Sequence, residues 1–428
     1  MEKKTIIVIG AGASGMMAAG KAAEMGADVL VLEKTNKPGK KLMITGKGRC
    51  NITNTVPIRE FIPHFGKNGK FLRQALHRFT NTDLVNFFES LGLKTNEERG
   101  GRVFPASNSA KDVVDVLKRW TFVQKGVILR TGSYVDELVL ENGEIKGVRL
   151  KNRDDSNDKK KLFFPAKAVI VAVGGASYPV TGSTGDGFEL ARQAGHTIIP
   201  VRQSLVPFEI GAGIGKKLDG LTVKNVTASV WIRGKKESEE FGDLEFRSGF
   251  LAGPIILSQS LLMVDALNKK DRVEVHIDLK PALDHQKLDA RLLRELTKNS
   301  KKEFLNVLRS LLPSAMIPLC LQQTGLNEDK VCHQITADER KRLRLWLKEF
   351  KIDVLKTRPF SEAIITAGGV DVGEIEPKTM QSKLVKNLYF TGEVLDIDAD
   401  TGGFNLQAAF STGWVAGASV GELTETKE

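Results

Sequence analysis

The stretch that most constrains the fold of this chain is residues 5–33. Residues 5–9 are apolar or β-branched and uncharged, which predicts a short buried strand. The sequence Gly10-Ala-Gly12-Ala-Ser-Gly15 follows at once, and helix-forming residues then continue to Gly26. Residues 27–32 form a second apolar run that ends at Glu33. The order is strand, G-x-G-x-x-G, helix, strand and acid, which is typical of a dinucleotide-binding unit.

Each part of this pattern has a physical role in holding a dinucleotide. Gly10 permits a tight turn, Gly12 leaves room for the pyrophosphate, and Gly15 lets the helix approach the strand. The helix N-terminus offers unpaired N–H groups and a positive dipole end to the phosphates. Glu33 can accept hydrogen bonds from ribose hydroxyls, while its charge disfavours a 2′-phosphate.

Glycine-rich segments of the same kind recur along the chain and return at its C-terminal end. The first is Thr45-Gly-Lys-Gly-Arg-Cys-Asn51, after a basic loop that includes Lys34 and Lys41. Gly174-Gly175 follows a buried strand, and Asp186 lies in the next glycine-rich loop. Thr391-Gly-Glu393 closes another strand, and Gly402-Gly403 opens a helix. We therefore expect both chain ends to build one α/β nucleotide-binding domain, with a flavin favoured as the ligand.

The residue pattern changes between the two ends of the chain. Short strand-like runs dominate residues 196–280, and helical patterns dominate residues 281–357. We expect a domain made of residues 1–195 and 358–428, and an inserted domain over residues 196–357. The insert is predicted to be barrel-like at first and helical afterwards.

Cysteine, acidic and charge patterns exclude some site classes and leave others open. Cys50, Cys320 and Cys332 have no zinc spacing, and the Asp396, Asp398 and Asp400 alternation lacks the glycine and glutamate of a calcium loop, so no metal is expected. The net charge of +11 fits an anionic cofactor, a nucleic acid or an anionic surface equally well. The N-terminus lacks a signal-peptide apolar region, and no apolar run is long enough to span a membrane, which predicts a cytoplasmic protein without membrane partners.

Taken together, these motifs resemble the HI0933-like flavoproteins, also known as BaiN-like or aminoacetone oxidase-family FAD-binding enzymes. The resemblance runs from end to end and rests on four segments: residues 10–15 with Glu33, residues 39–54, residues 174–187, and residues 391–396 with 401–407. One segment departs from the family, because Phe246-Arg-Ser-Gly249 stands where a Thr-His pair is often found.

The resemblance implies an α/β fold with a Rossmann-like FAD-binding domain, and an insert made of a partly open β-barrel plus a helical bundle. It also implies FAD as the cofactor. The positions expected to bind FAD are Gly10, Gly12, Ala13, Ser14, Gly15, Glu33, Lys34, Lys41, Gly48, Arg49, Cys50, Asn51, Val135, Ala172, Gly174, Gly175, Asp186, Gly392, Glu393, Gly403, Asn405 and Leu406.

The expected function is an FAD-dependent oxidoreductase that transfers hydride to or from a small molecule. Arg49 and Cys50 are the candidate catalytic residues, because both lie in a cofactor-proximal motif and Arg49 offers positive charge to a reduced flavin or an anionic substrate. No second G-x-G-x-x-G is visible, so any NAD(P)H would bind without that motif. Amine oxidation stays open, as does an RNA-acting flavoprotein, although a single basic cluster at Arg340-Lys-Arg-Leu-Arg344 makes nucleic acid the weaker alternative.

Overall fold

A computed structural model describes residues 5–151 and 162–425; the first four residues, which entered the signal-peptide argument, lie outside this range. The described chain divides into two compact units. The sheet unit comprises residues up to Gln203 together with those from Ala363 onward, and the barrel unit comprises Ser204–Glu362. The predicted division lay at 195/196 and 357/358.

The described chain contains both strands and helices, in runs of either kind. The strands are β1 (Ile6–Ile9), β2 (Val29–Leu32), β3 (Thr53–Asn54), β4 (Thr95–Glu98), β5 (Arg102–Pro105), β6 (Val127–Arg130), β7 (Val135–Glu141), β8 (Glu144–Leu150), β9 (Phe163–Pro165), β10 (Ala168–Val171), β11 (Ile198–Ser204), β12 (Phe208–Ile210), β13 (Thr222–Ile232), β14 (Lys235–Arg247), β15 (Phe250–Ala252), β16 (Val273–Asp278), β17 (Phe350–Thr357), β18 (Ile365–Val370) and β19 (Leu388–Phe390). The helices are α1 (Ala13–Glu24), α2 (Lys40–Ile44), α3 (Ile58–Phe61), α4 (Gly69–Arg78), α5 (Asn81–Ser90), α6 (Ala110–Phe122), α7 (Asp186–Gln193), α8 (Ala212–Lys217), α9 (Pro254–Ser258), α10 (Ser260–Asn268), α11 (His285–Lys298), α12 (Phe304–Leu311), α13 (Ile317–Thr324), α14 (Ala337–Lys348) and α15 (Phe404–Glu425).

A parallel sheet in the order β19-β10-β1-β2-β6 forms the core of the sheet unit. Its three central strands β10, β1 and β2 are almost entirely buried, because helices cover a parallel sheet and leave no face for polar residues. β19, from the C-terminal part of the chain, lies beside β10. The prediction that both chain ends build one Rossmann-type domain is confirmed.

Helix α15 packs on α1 through a row of glycines. A Cβ added at Gly413 or Gly417 would overlap the backbone carbonyl of Ser14 or Ala18, and one at Gly421 would lie 2.6 Å from the Cβ of Met25. These three glycines recur every four residues and share one helix face. The close approach fixes the helix that begins with the predicted flavin-binding glycines against the helix of the first motif.

The barrel unit contains a six-stranded sheet in the order β12-β15-β14-β13-β16-β17. Pairing of β12 with β17 closes this sheet, whereas the resemblance implied a partly open barrel. Helices α11 to α14 lie between β16 and β17 in the chain, as the helical pattern predicted.

Two segments differ from their predicted class. Residues 350–357 were expected to be helical but form β17, where Phe350, Ile352 and Val354 are buried and the residues between them are exposed. That period of two is the signal of a strand and outweighs the helical pattern before it. Strand β11, placed in the predicted insert, instead forms a two-stranded sheet with β18.

Candidate active site

The turn between β1 and α1 has the geometry that a bound pyrophosphate requires. Gly10 has a φ of +97°, and a Cβ on Gly15 would overlap the carbonyl oxygen of Gly10. Gly12 is different, because no described atom lies within 4 Å of a Cβ built on it. Gly12 is also the N-cap of α1 and carries no side chain that could cap the free N–H groups. An open, donor-rich space therefore lies in front of the helix.

Glu33 ties the end of β2 to this turn. Its Oε2 accepts a hydrogen bond of 2.8 Å from the N–H of Ala11, and its Oε1 accepts one of 2.7 Å from the N–H of Thr35. The residue is only 9% exposed. Because each carboxylate oxygen has a second lone pair, Glu33 can hold the glycine turn and still accept from a ribose hydroxyl.

Lys34 and Asp186 form an ion pair beside Glu33. The Lys34 ammonium also donates to Thr184 Oγ1 at 2.6 Å and lies 5.5 Å from the Tyr134 ring centroid. Burial raises the pKa of Tyr134, and the nearby Asp186 charge raises it further. Asp186 is the first residue of α7, where a carboxylate stabilises the helix dipole. Lys34 and Asp186 were both predicted to bind FAD, and in this structure they form an ion pair with each other.

Lys41 and Glu393 join four segments of the sheet unit. Lys41 Nζ donates to Glu393 Oε2 at 2.5 Å and to Ser177 Oγ at 2.7 Å. Glu393 Oε1 accepts from the N–H of Thr366 at 2.8 Å and from Ser177 Oγ at 3.0 Å. Ser177 and Thr366 are absent from the predicted site, because neither carries a local sequence signal that distinguishes it from other polar residues at strand ends.

Arg49 is held on the β4–β5 hairpin. Its guanidinium pairs with Glu98, its Nε donates to Asn108 Oδ1 at 2.8 Å, and its Cζ lies 4.2 Å from the Phe104 ring centroid. These contacts lower the pKa of Glu98, chiefly through the hydrogen bond from Arg49. The arrangement gives Arg49 a bracing role in this loop and leaves no unpaired guanidinium charge for an anionic substrate.

Cys50 does not have the properties of a catalytic thiolate. Its side chain is fully buried, and burial raises its pKa to about 12 although a hydrogen bond with Thr45 opposes the shift. A thiol in this environment stays protonated at neutral pH and cannot be reached by a substrate. A catalytic role of Cys50 therefore stays a prediction, and its burial favours a role in packing.

The start of α15 is built from residues predicted to meet the flavin. Gly402 and Gly403 have φ values of +135° and +100°, and a Cβ on Gly403 would overlap the Thr53 carbonyl. Asn405 closes the preceding loop, because its Nδ2 donates to the carbonyl of Ala399 at 2.8 Å and its Oδ1 accepts from the N–H of Ala399 at 2.9 Å.

The remaining predicted positions surround the same glycine turns. Ala13 and Ser14 begin α1, and a Cβ on Gly392 would lie 2.7 Å from Ser14 Oγ. Ala172 follows β10 against Gly10, and Gly175 approaches Thr366. The other four lie at turns or element ends: Gly48 and Gly174 with positive φ, Val135 at the start of β7, and Leu406 in the first turn of α15.

Two buried polar atoms near these turns lack a partner among the described residues. They are Asn51 Oδ1 and Thr391 Oγ1. A buried oxygen without a hydrogen bond costs on the order of 1–3 kcal/mol, so each marks a place where a ligand group or water can bind. Together with the open space at Gly12, they fit a large polar cofactor that runs past all three residues.

A histidine triad in the sheet unit has hydrolase-like order but serves structure. His196 Nδ1 lies 3.0 Å from Glu374 Oε2, and His196 Nε2 lies 2.8 Å from Ser382 Oγ. The His196 side chain is fully buried, and burial lowers its pKa. Ser382 Oγ also accepts from the N–H groups of Leu384 and Val385. A hydroxyl so enclosed cannot attack a substrate.

A second dyad joins His64 to Asp400, with Nδ1 and Oδ2 3.0 Å apart. Neither residue is among the site residues predicted from the sequence. No local signal could have found their contact, because 336 positions separate the two residues. In contrast to His196, about a third of the His64 side chain is exposed.

Comparison with known proteins places this geometry in a family. The HI0933-like protein Rossmann domain matches residues 4–419. The chain is 31% identical over 417 residues to a 3-dehydro-bile acid delta(4,6)-reductase of Clostridium scindens, covering 97% of this chain and 98% of that protein. It is 29% identical over 415 residues to a ribosomal RNA dihydrouridine synthase of Escherichia coli, covering 97% of both chains.

Solved structures show the same fold at low sequence identity. A flavocytochrome c3 fumarate reductase aligns with a TM-score of 0.53 and 17% identity, covering 98% of this chain and 78% of that one. The 3-ketosteroid-delta4-(5alpha)-dehydrogenase of Rhodococcus jostii aligns with a TM-score of 0.53 and 15% identity, covering 98% of this chain and 96% of that one.

Within residues 5–151 and 162–425, no helix has the length and apolar character of a membrane-spanning segment.

The family match over nearly the whole chain, the glycine-turn geometry and the flavoprotein neighbours agree with one another. FAD is the cofactor, and the protein is an FAD-dependent oxidoreductase. The chain belongs to the HI0933-like protein family.

Proposed function

We propose that this protein reduces a carbon–carbon double bond conjugated to a carbonyl in a small ring compound. The observation that carries the proposal is that two relatives with unlike substrates, each aligned over nearly the full chain, have names that describe one chemical step. A bile-acid delta(4,6)-reductase and a dihydrouridine synthase both saturate a ring double bond that a carbonyl activates. Proteins of one fold often share a chemical step and differ in substrate, because the residues of the active site determine which substrate binds.

We propose that FAD is held by the predicted residues of the sheet unit. The N–H groups at the start of α1 face the pyrophosphate, with Gly12 leaving the space, and Glu33 accepts from the adenosine ribose. Asn51 Oδ1 and Thr391 Oγ1 gain their missing partners from the cofactor or its waters. When bound and reduced, FAD supplies the hydride for this chemistry.

The start of α15 has a separate role in this proposal. Its first N–H groups have no intrahelical partners, and Gly402 and Gly403 carry no side chains that could cover them. They are therefore suited to stabilise negative charge on the N1–O2 edge of a reduced flavin ring. Lys41 forms an ion pair with Glu393, and its role in this proposal is to hold the segments around the site in place.

The electron donor proposed here is NAD(P)H, and the substrate test follows from it. FAD-loaded protein is mixed anaerobically with NADH or NADPH, and bleaching of the flavin absorbance is followed. The reduced protein is then mixed with 4-androstene-3,17-dione or with saturated succinate as a control. We expect the enone to restore the flavin colour and succinate to leave it bleached. Failure of every conjugated enone to reoxidise the flavin would refute the proposal.

A uridine in RNA is the second candidate substrate. Two relatives at 29% and 30% identity are ribosomal RNA dihydrouridine synthases, and the chain has a net charge of +11. Within the barrel unit the excess charge falls in residues 285–349, which contain 13 Lys or Arg and 8 Asp or Glu. Incubation of reduced protein with a ribosomal RNA transcript, followed by mass analysis of uridines, tests this candidate. RNA binding should also weaken steeply across a salt series, because phosphate contacts release counterions.

A further inference from the structure

His64 and Asp400 form an exposed polar pair in the sheet unit. Nδ1 of His64 lies 3.0 Å from Oδ2 of Asp400, and the two side chains are 35% and 47% exposed. This is the only hydrogen bond of the His64 ring within residues 5–151 and 162–425. The ring therefore has one nitrogen held by a carboxylate, while the other, Nε2, has no hydrogen bond to those residues.

Packing holds the His64 ring in one orientation. The ring stacks on Phe404 with centroids 3.8 Å apart and planes at 17°, and Phe61 contacts the same Phe404 edge-on at 5.0 Å. One turn further along, Asn68 Nδ2 donates to the carbonyl of Asp396 at 2.6 Å and to its Oδ2 at 2.7 Å. The segment Ile62–Asn68 is thus tied at two points to the loop that precedes α15.

This orientation brings His64 to the start of α15. Phe404 is the first residue of the helix and directly follows Gly402 and Gly403, whose N–H groups are proposed to face the flavin ring. Lys67 and Asp396 pair at 3.9 Å between the same two segments. Asp400 is the carboxylate that contacts His64 directly.

The dyad has the tautomer control that a proton donor needs. A hydrogen on Nδ1 is required to meet the Asp400 carboxylate, so proton gain and loss take place at Nε2. A histidine with one nitrogen fixed in this way can pass a proton through the other.

We propose that His64, oriented by Asp400, delivers the proton in the double-bond reduction; this inference rests on the function proposed above. The β carbon of the substrate accepts a hydride from reduced FAD, and the electron pair of the double bond moves to the α carbon and its carbonyl. The α carbon then accepts the proton from His64 Nε2. FAD is left oxidised by two electrons, and the neutral His64 regains a proton from water.

The first test separates proton delivery from flavin oxidation. FAD-loaded wild-type protein, His64→Gln and the exposed control His77→Gln are reduced with dithionite and mixed with 4-androstene-3,17-dione or with ferricyanide, which needs no proton on carbon. We expect His64→Gln to slow reoxidation by the enone on the order of 10²–10⁴-fold. Reoxidation by ferricyanide and both reactions of His77→Gln should match the wild type.

The outcomes are distinguishable from failure of the proposed function. If the wild type is reoxidised by the enone and His64→Gln is equally fast, the inference falls and the function stands. If His64→Gln is slow with ferricyanide as well, the flavin site has been damaged and proton delivery is refuted. If neither the enone nor a uridine-containing transcript reoxidises the wild type, the proposed function fails and the inference with it.

The role of Asp400 is tested without turnover. Nitrogen-15 NMR of the apoprotein, assigned with His64→Gln, should show neutral His64 with its hydrogen on Nδ1, and Asp400→Asn should lose this preference. In the loaded enzyme, Asp400→Asn should alter the pH profile of enone reduction more than that of ferricyanide reduction. A neutral His64 with its hydrogen on Nε2 in the wild type would overturn the orienting role.

Discussion

Gly12 differs from its neighbours in what surrounds it. Gly10 and Gly15 are required by contacts inside the protein, since a Cβ on either would meet backbone atoms. At Gly12 a Cβ would project into open space at the N-terminus of α1. The same motif therefore contains glycines that serve the fold and one that serves the ligand, and substitution can tell them apart.

Gly12→Val should abolish FAD retention while leaving the apoprotein as stable as the wild type, because the new side chain fills only the proposed pyrophosphate space. Gly15→Val should unfold or strongly destabilise the protein. Flavin absorbance after gel filtration and thermal unfolding of FAD-free samples measure the two effects. Gly213→Val is the matched control, since a Cβ there also meets nothing within 4 Å, and it should keep FAD. A Gly12→Val variant that retains FAD would contradict the assignment.

Cys50 gives a stability effect at alkaline pH. Its pKa rises from an ordinary value of 9.0 to about 12 in the folded protein, so above pH 9 the unfolded chain loses a proton that the folded chain keeps. The free energy of unfolding should fall by about 1.4 kcal/mol per pH unit between these values. Urea unfolding at several pH values should show a shallower decline in Cys50→Ala. Identical slopes in both proteins would contradict the buried-thiol assignment.

At the scale of elements, α1 and α15 can pack closely because glycines lie at their contact. The glycines at 413, 417 and 421 let α15 lie against α1, so the two helices that begin at proposed cofactor-binding glycines have a fixed separation. Helix propensity alone disfavours these glycines by roughly 1 kcal/mol each relative to alanine. Their contribution lies in the close approach of the two helices that they permit.

Gly417→Leu should lower the free energy of unfolding by about 1–3 kcal/mol and weaken FAD binding, because the side chain would force α15 away from Ala18. Denaturant unfolding of the apoprotein and flavin release measure the two changes. Ala416→Leu is not a suitable control, because Ala416 is buried. Glu422→Leu, at an exposed position of the same helix, should lose less stability; equal losses would argue against the helix contact.

Local patterns predicted most elements, and long-range pairing explains what they missed. The β1–α1–β2 unit is encoded by neighbouring residues and forms as predicted, and the Asn142-Gly143 turn between β7 and β8 is local in the same way. Closure of the barrel depends on β12 meeting β17, and the His64–Asp400 contact depends on segments far apart in the chain. Long-range contacts of this kind depend on how the whole unit packs, so a local stretch of sequence cannot predict them.

At the scale of the whole molecule, the junctions after residue 203 and before residue 363 differ in exposure. Ser204, Leu205 and Val206 are buried, whereas Pro359, Ser361 and Ile364 are exposed. Proteases cut exposed segments with few contacts first. The two junctions of the proposed domain boundary should therefore differ in their susceptibility to proteolysis.

Brief chymotrypsin digestion should cut after the half-buried Phe360 before it cuts in residues 204–206. Mass analysis of the first fragments identifies the site, and Phe360→Ser should delay that cut without changing later ones. Early fragments that end within β1 or β10 would contradict the proposed boundary.

The position of β19 has a consequence for synthesis on the ribosome. β1 and β10 can pair once residue 171 has emerged, but β19 and then α15 complete the sheet unit only after residue 388. At roughly 5–20 residues per second, the interval from residue 171 to residue 388 leaves the outer edge of β10 unpaired for about 10 to 45 s. During that time an apolar strand edge stays open while the whole barrel unit is being made. The nascent chain therefore depends on chaperones, or on early folding of Ser204–Glu362, to reach the stage at which FAD can bind.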